Sequence, residues 1–387
     1  MIIEIRKAGF VNKGAEMMLL SIIENIQTKY PDTTFVMAPS TEKGSQPYSK
    51  LSRLGFKLKF RLRRGKVDIS WIGNLIPKKV RDAYGIVLNK EIDIILDASG
   101  FSYSDQWGTY DTEELKDALT NRDKKNQKFI LLPQAFGPFE NESNIINIDK
   151  ALKAADLVFA RDAYSMQSLK KVIEPFPKNI FQSPDFTCGL AKSITNEVEN
   201  KAGMVAIVPN YRMLDKTRKD DRDSYVDNLV EAIKILLANG LKPYFLIHET
   251  DLDKGVALEI MSKLKVNDIP CVEEDNPRVI KGYLSVSSFV ISSRYHASVS
   301  ALSQSVPVIG TSWSHKYQEL FREYDFEEGL SELANSEQIK RLTNSLCNES
   351  YRDEVSNKLK INSEKVKVEN DAMWSSVFEV IDSSKYN

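Results

Sequence analysis

The chain has 387 residues, 42% of them hydrophobic and 28% charged, which excludes a disordered or fibrous protein and predicts two domains rather than one core. Lys plus Arg number 53 against 54 Asp plus Glu, a net charge of −1, so no global basic surface points to nucleic acid, and no motif that reads nucleic acid occurs. Cys188, Cys271 and Cys347 lie far apart without paired spacing, as expected of structural thiols in a reducing compartment.

The opening Met-Ile-Ile-Glu-Ile-Arg is broken by charge, unlike a signal peptide, and no run of ~18 apolar residues is present. The expectation is a cytoplasmic protein that meets a membrane only at its surface. A strand is predicted at 2–6 and a helix at 14–28, with Met17, Met18, Leu20, Ile22, Ile23 and Ile26 on its buried side. Strands follow at 34–38, 92–97, 128–132 and 156–160, the later ones separated by helices at 112–122, 144–154 and 163–173. Such alternation predicts a parallel sheet covered by helices on both faces.

Residues 188–203 are polar and weakly periodic and read as a linker. A second series starts with a strand at 204–209 and a helix at 222–239, stopped by Asn239-Gly240. It continues with strand 242–247, helix 251–264, strand 288–292, helix 297–304 and strand 306–310, and the tail reads as helices, the last over 349–381. The expected divisions are 1–190, 204–345 and a helical tail 346–387: two facing Rossmann-like domains whose ligands lie in the cleft beyond the strand ends.

The sharpest chemistry lies in Ser292-Ser-Arg-Tyr-His296, between an apolar strand and a helix of small residues. Free N–H groups at a helix start favour an anion. Arg294 can clamp a phosphate or carboxylate through two hydrogen bonds, and His296 beside a bound phosphate would stay protonated and act as a general acid. The competing reading is a packed histidine and a surface arginine.

Ser293-Arg-Tyr-His-Ala, Val306-Pro-Val-Ile and Trp313-Ser-His-Lys-Tyr-Gln-Glu-Leu resemble the signature of the polysaccharide pyruvyl transferase family. Asn12-Lys-Gly14-Ala-Glu, Leu132-Pro-Gln134-Ala-Phe-Gly-Pro, Ala160-Arg-Asp-Ala-Tyr-Ser and Ser183-Pro-Asp-Phe are similar to further family motifs in the same order, from about residue 5 to about 325. The chain departs from the family at Asp97-Ala-Ser99-Gly100, where relatives commonly carry a glycine run; side chains here stand where bare backbone approaches a ligand.

The resemblance implies a GT-B-like α/β fold and transfer of the pyruvyl group of phosphoenolpyruvate onto a sugar of a cell-surface polysaccharide or its lipid-linked precursor. A ketal forms and phosphate leaves. It implies no cofactor beyond the donor substrate. The donor's two anionic groups call for several cations, and Arg212 and Lys316 join Arg294 as candidates. Asn12, Gly14, Ser99, Gly100 and Gln134 are expected at substrate, with Asp97, Asp105 or Asp185 accepting the hydroxyl proton. His248 and His315 are further candidates for ligand contact, with helix capping or mere proximity as the competing readings. The three histidines lack metal-ligand spacing, so no metal is expected.

Two other functions compete: a GT-B glycosyltransferase using a nucleotide sugar, with Glu319 on the donor, and a catalytically idle sugar-binding relative. Finally, residues 50–81 carry Lys50, Arg53, Lys57, Lys59, Arg61, Arg63, Arg64, Lys66, Lys78, Lys79 and Arg81 against Asp68, interleaved with Leu62, Trp71 and other apolar residues. One reading is contact with anionic lipid or a lipid-linked acceptor, the other a solvated face.

Overall fold

The computed structural model describes residues 1–40, 46–64, 67–215, 219–249, 251–311, 315–332 and 335–383. Lys66 of the basic stretch, and Trp313 and Ser314 of the family-like signature, fall outside the described residues. The chain divides into two compact units, Met1–Phe186 with Asp371–Asn387, and Thr187–Asn370. The tail is thus shared between them: the helix Glu349–Ser383 starts in the second unit and ends in the first.

The first unit is an eight-stranded sheet built from β1 (Ile2–Arg6), β2 (Thr34–Met37), β3 (Lys57–Lys59), β6 (Ile86–Val87), β7 (Ile94–Asp97), β8 (Lys128–Gln134), β9 (Leu157–Ala160) and β10 (Ile180–Gln182). A two-stranded antiparallel hairpin, β4 (Arg63–Arg64) and β5 (Val67–Asp68), lies between β3 and β6 in the chain. The order across the sheet is β10-β9-β8-β7-β1-β2-β3-β6 and every pairing is parallel. Chain direction across the sheet reverses between β1 and β7, so the ends of those two strands form the topological switch point where ligands collect in such sheets.

The helix Lys13–Lys29 opens on Asn12, whose side chain accepts the Ala15 N–H at 2.8 Å, and it buries Met18, Leu19, Ile22 and Ile26 against β1 and β2 residues. The same core takes Met373, Trp374, Val377 and Ile381 of the C-terminal helix. In β8, pairing with β9 shifts register between Leu131 and Gln134, where Pro133 supplies no N–H to the ladder.

The second unit has six parallel strands: β11 (Val205–Val208), β12 (Pro243–Ile247), β13 (Cys271–Glu273), β14 (Phe289–Ser292), β15 (Val308–Thr311) and β16 (Leu330–Ser331). Their order, β13-β12-β11-β14-β15-β16, is the doubly wound 3-2-1-4-5-6 arrangement, with its switch point between β11 and β14. β11, β12, β14 and β15 are buried along their whole length, which is why they read as unbroken apolar runs. The helix Lys219–Ala238 stops where expected: Gly240 takes φ +73°, and Leu241 N–H returns to Leu236 O at 3.0 Å.

Candidate active site

At the switch point of the second unit, β14 delivers Ser293 and Arg294. Ser293 is held from four sides. Its Oγ lies 2.7 Å from the Tyr225 hydroxyl and 2.6 Å from Thr311 Oγ1, and its carbonyl accepts from Asn210 Nδ2 at 3.0 Å and the Tyr317 hydroxyl at 2.9 Å. Burial pushes the Tyr225 hydroxyl up to about 12, against the lowering by its bonds to Ser293 and Asn210, so it stays neutral and can share its proton. Ser292 Oγ accepts the Arg294 N–H at 3.1 Å and donates to the Arg294 carbonyl at 3.0 Å, fixing Arg294 as the N-cap residue of the helix Tyr295–Leu302.

The Arg294 side chain then turns to two carboxylates. One terminal nitrogen reaches both oxygens of Asp253, at 2.7 and 2.6 Å, and the other meets Glu249. Burial acts to lower the Arg294 pKa, but Glu249 and Asp253 outweigh it and raise it. Asp253 is fully buried and also accepts the Tyr211 N–H at 2.9 Å, whereas Glu249 is 19% exposed. The fork expected to clamp an incoming anion is therefore occupied by the protein's own carboxylates, of which Glu249 is the more exposed.

His296 is half-buried in the first turn of the helix, its ring edge-on to Tyr295 at 5.3 Å. Lys316 Nζ lies over the rings of Tyr295 and Tyr317, at 5.4 and 5.7 Å. His248 is 2% exposed, at the carboxyl end of β12 directly before Glu249, and His315 opens the helix His315–Glu323. Arg212 stands at the margin, 58% exposed and paired with Asp215 at 2.6 Å. Glu319 bonds Arg322 on its own helix.

The matching position in the first unit carries a denser ion cluster. Arg6 ends β1, Lys7 follows it, and Asp97 ends β7. Arg6 lies 3.6 Å from Asp97 and 3.3 Å from Glu114, Lys7 reaches Asp111 at 2.6 Å and Glu114 at 3.1 Å, and Arg61 meets Glu114 at 2.5 Å. Burial acts to raise the Glu114 pKa, yet Arg6, Lys7 and Arg61 overcome it and hold that carboxyl far below its ordinary range. Asp97 is fully buried and accepts the Tyr103 hydroxyl at 3.1 Å on each oxygen; burial pushes its carboxyl up, against Arg6 and Lys7.

The three aspartates expected as bases all have structural duties. Besides Asp97, Asp105 accepts the N–H groups of Glu140 and Asn141 and the Asn144 amide, bonds that overcome burial and lower its pKa. Asp185 is 3% exposed and lies 3.3 Å from the equally buried Arg161. Asn12 is engaged as a helix cap and Gly14 lies inside the helix it caps. Ser99 bonds Gln134 Oε1, while Gln134 Nε2 is buried without a hydrogen-bond partner. Gly100 has φ +69°, a left-handed backbone that favours glycine, and a Cβ there would stand 3.2 Å from the Met18 methyl.

Sequence reasoning missed Glu249 and Asp253. The run Ile247-His-Glu-Thr-Asp251-Leu-Asp253 was visible as a post-strand acidic cluster, but only the fold shows that β12 and β14 flank β11 and so aim it at Arg294. No group of three or more His, Cys, Asp or Glu placed to hold a metal occurs among the described residues.

Two doubly wound parallel sheets with a helical tail define the GT-B class of fold, and solved structures of that kind superimpose on the chain. A glycosyltransferase from Rickettsia africae is 15% identical with TM-score 0.58, covering 100% of this chain and 98% of its own. A putative UDP-N-acetylglucosamine 2-epimerase from Listeria monocytogenes is 14% identical with TM-score 0.58, covering 92% and 90%. The UDP-GlcNAc 2-epimerase from Neisseria meningitidis, solved with UDP-GlcNAc, is 14% identical with TM-score 0.58, covering 95% and 98%. At such identities the likeness is one of fold. No curated protein matches the chain in sequence. The profile of the polysaccharide pyruvyl transferase family matches residues 12–315, and the chain belongs to that family of transferases.

Proposed function

We propose that this transferase moves the pyruvyl group of phosphoenolpyruvate onto two hydroxyls of one sugar in a cell-surface polysaccharide or its lipid-linked precursor. The observation that carries the reading is the convergence of Arg294, His296, Glu249 and Asp253 at the second unit's switch point. Phosphoenolpyruvate displaces Glu249 from the Arg294 fork, exchanging one anion for another, while buried Asp253 keeps the guanidinium aimed. Lys316 and Arg212 add positive charge for the donor's second anionic group.

Protonated His296 gives its proton to the C3 methylene as one sugar hydroxyl bonds to C2. The released Glu249, in place of the three engaged aspartates, accepts that hydroxyl's proton. A lone pair of the new ether oxygen then expels phosphate with the C2–O electron pair, the second hydroxyl adds to the resulting oxocarbenium carbon to close the ketal, and its proton passes to the neutral imidazole. Protonation by a placed acid supplies about 10²–10⁴-fold. Ser99, Gly100 and Gln134, at the strand ends of the first unit, are assigned to the sugar, with Gln134 Nε2 as a donor to a hydroxyl. His248 and His315 are assigned to donor contact. The reaction takes place in the cytoplasm and needs no cofactor.

The test is release of inorganic phosphate from phosphoenolpyruvate across a panel of lipid-linked and synthetic glycosides, each run beside His296→Ala. Release that requires both acceptor and His296 supports the reading. Binding of UDP-sugars without binding of phosphoenolpyruvate would replace it with nucleotide-sugar chemistry; binding of glycosides alone would mark an idle relative.

A further inference from the structure

Between β3 and β6 the first unit makes an excursion that its own fold holds in place. Gly73, in the short 3₁₀ helix Ser70–Leu75, sits so close to Phe60 and Leu88 that a Cβ would approach them to 2.6 and 2.8 Å. Ser70 Oγ accepts the Leu62 N–H at 2.9 Å, and buried Arg81 bonds the Ile76 carbonyl at 3.2 Å and pairs with Glu91. The excursion is anchored at these points, and yet it leaves apolar side chains exposed. Trp71 is 64% exposed, Leu75 73% and Tyr84 71%, with Leu62 and Val80 also exposed. Val80 and Tyr84 are four apart along the helix Lys78–Ala83 and its cap, and so share a face.

The charge around this surface has one sign to spare. Lys59 and Arg61 are spent on Glu4 and Glu114, and Lys78 pairs with Asp82. Arg53, Lys57 and Lys79 remain as exposed cations. Lys57 runs beside Gly85, the residue after Tyr84, its Cγ 3.8 Å from where a Gly85 Cβ would stand. Indole and aliphatic side chains held out to solvent next to lysine and arginine match the interface of an anionic bilayer, where the rings enter the headgroup layer and the cations meet lipid phosphate.

We infer that Leu62, Trp71, Leu75, Val80 and Tyr84, with Arg53, Lys57 and Lys79, form a bilayer-contact surface that seats the first unit on anionic phospholipid. This goes beyond the reaction and does not depend on it. A lipid-linked acceptor would be presented at the same surface.

The experiment is co-sedimentation of the full chain with vesicles of phosphatidylglycerol and phosphatidylcholine, or of phosphatidylcholine alone, at low and high salt. The wild type is expected on the anionic vesicles only, with binding weakened as salt rises. Trp71→Ser with Leu75→Ser, and separately Lys57→Glu with Lys79→Glu, should each weaken it by about tenfold or more. All four side chains are exposed, so both variants should keep the wild-type melting temperature and turnover of a soluble acceptor. Absence of binding to anionic vesicles at low salt overturns the inference, as does equal binding by the variants. A lipid-free dimer that Trp71→Ser with Leu75→Ser dissociates in sedimentation velocity would overturn it too, assigning the surface to a second copy of the chain.

Discussion

Each unit carries an ion cluster at its switch point, and the two differ in balance. In the first unit three cations, Arg6, Lys7 and Arg61, meet three carboxylates, Asp97, Asp111 and Glu114. In the second, one guanidinium meets two carboxylates, Asp253 and Glu249, with His248 and His296 on the adjoining turns. A charge-balanced cluster satisfies itself, whereas two carboxylates on one guanidinium leave one that an anionic ligand can replace. On the proposed function the first cluster serves architecture and the second chemistry, a division that variants would break by moving turnover where stability was expected, or the reverse.

The largest effect belongs to His296→Ala, which should lower kcat by about 10²–10⁴-fold while phosphoenolpyruvate still binds, read by phosphate release and calorimetry. Glu249→Gln comes next. The amide still accepts from Arg294, so the unfolding free energy should change by less than about 1 kcal/mol, while kcat falls by about 10²-fold; unchanged turnover would return Glu249 to the role of a counter-ion. In the first unit Glu114→Gln should do the opposite, costing about 1–3 kcal/mol of unfolding free energy, because Arg6 and Lys7 lose the carboxylate they share while keeping Asp97 and Asp111.

The same residue sets a pH dependence. The folded Glu114 pKa lies below its ordinary value of 4.5, so its stabilisation is complete above that value and is lost as pH falls through the depressed range. Acid denaturation curves of Glu114→Gln should be flatter than wild type below about pH 5. The smallest effect is that of Asn12→Ala, which removes a helix cap worth about 1 kcal/mol. A change in acceptor KM at equal stability would show that Asn12 also touches substrate.

Much of the scaffold was legible. The long apolar runs that became β1, β7, β8, β11, β12 and β14 announce themselves because both sheet faces are covered, and Asn239-Gly240 stops its helix through a backbone requirement local to two residues. The short strands β3, β6, β10, β13 and β16 were not visible. Each has only two or three residues, some of them charged as in Lys57-Leu-Lys59, and pairing with an existing sheet supplies what their own pattern lacks. The helix Tyr295–Leu302 begins two residues earlier than its apolar pattern suggests, because Ser292 fixes Arg294 as its cap.

The sequence by itself determined the family, the alternation of strand and helix, and the presence of Arg294 and His296 at a strand-to-helix turn, since each is written in contiguous residues. Which carboxylates matter was decided by tertiary structure alone. Asp97, Asp105 and Asp185 are each consumed by a partner distant in the chain, and Glu249 and Asp253 reach Arg294 across at least 41 residues. A charge's role depends on what neutralises it, and that is settled by which strands lie side by side.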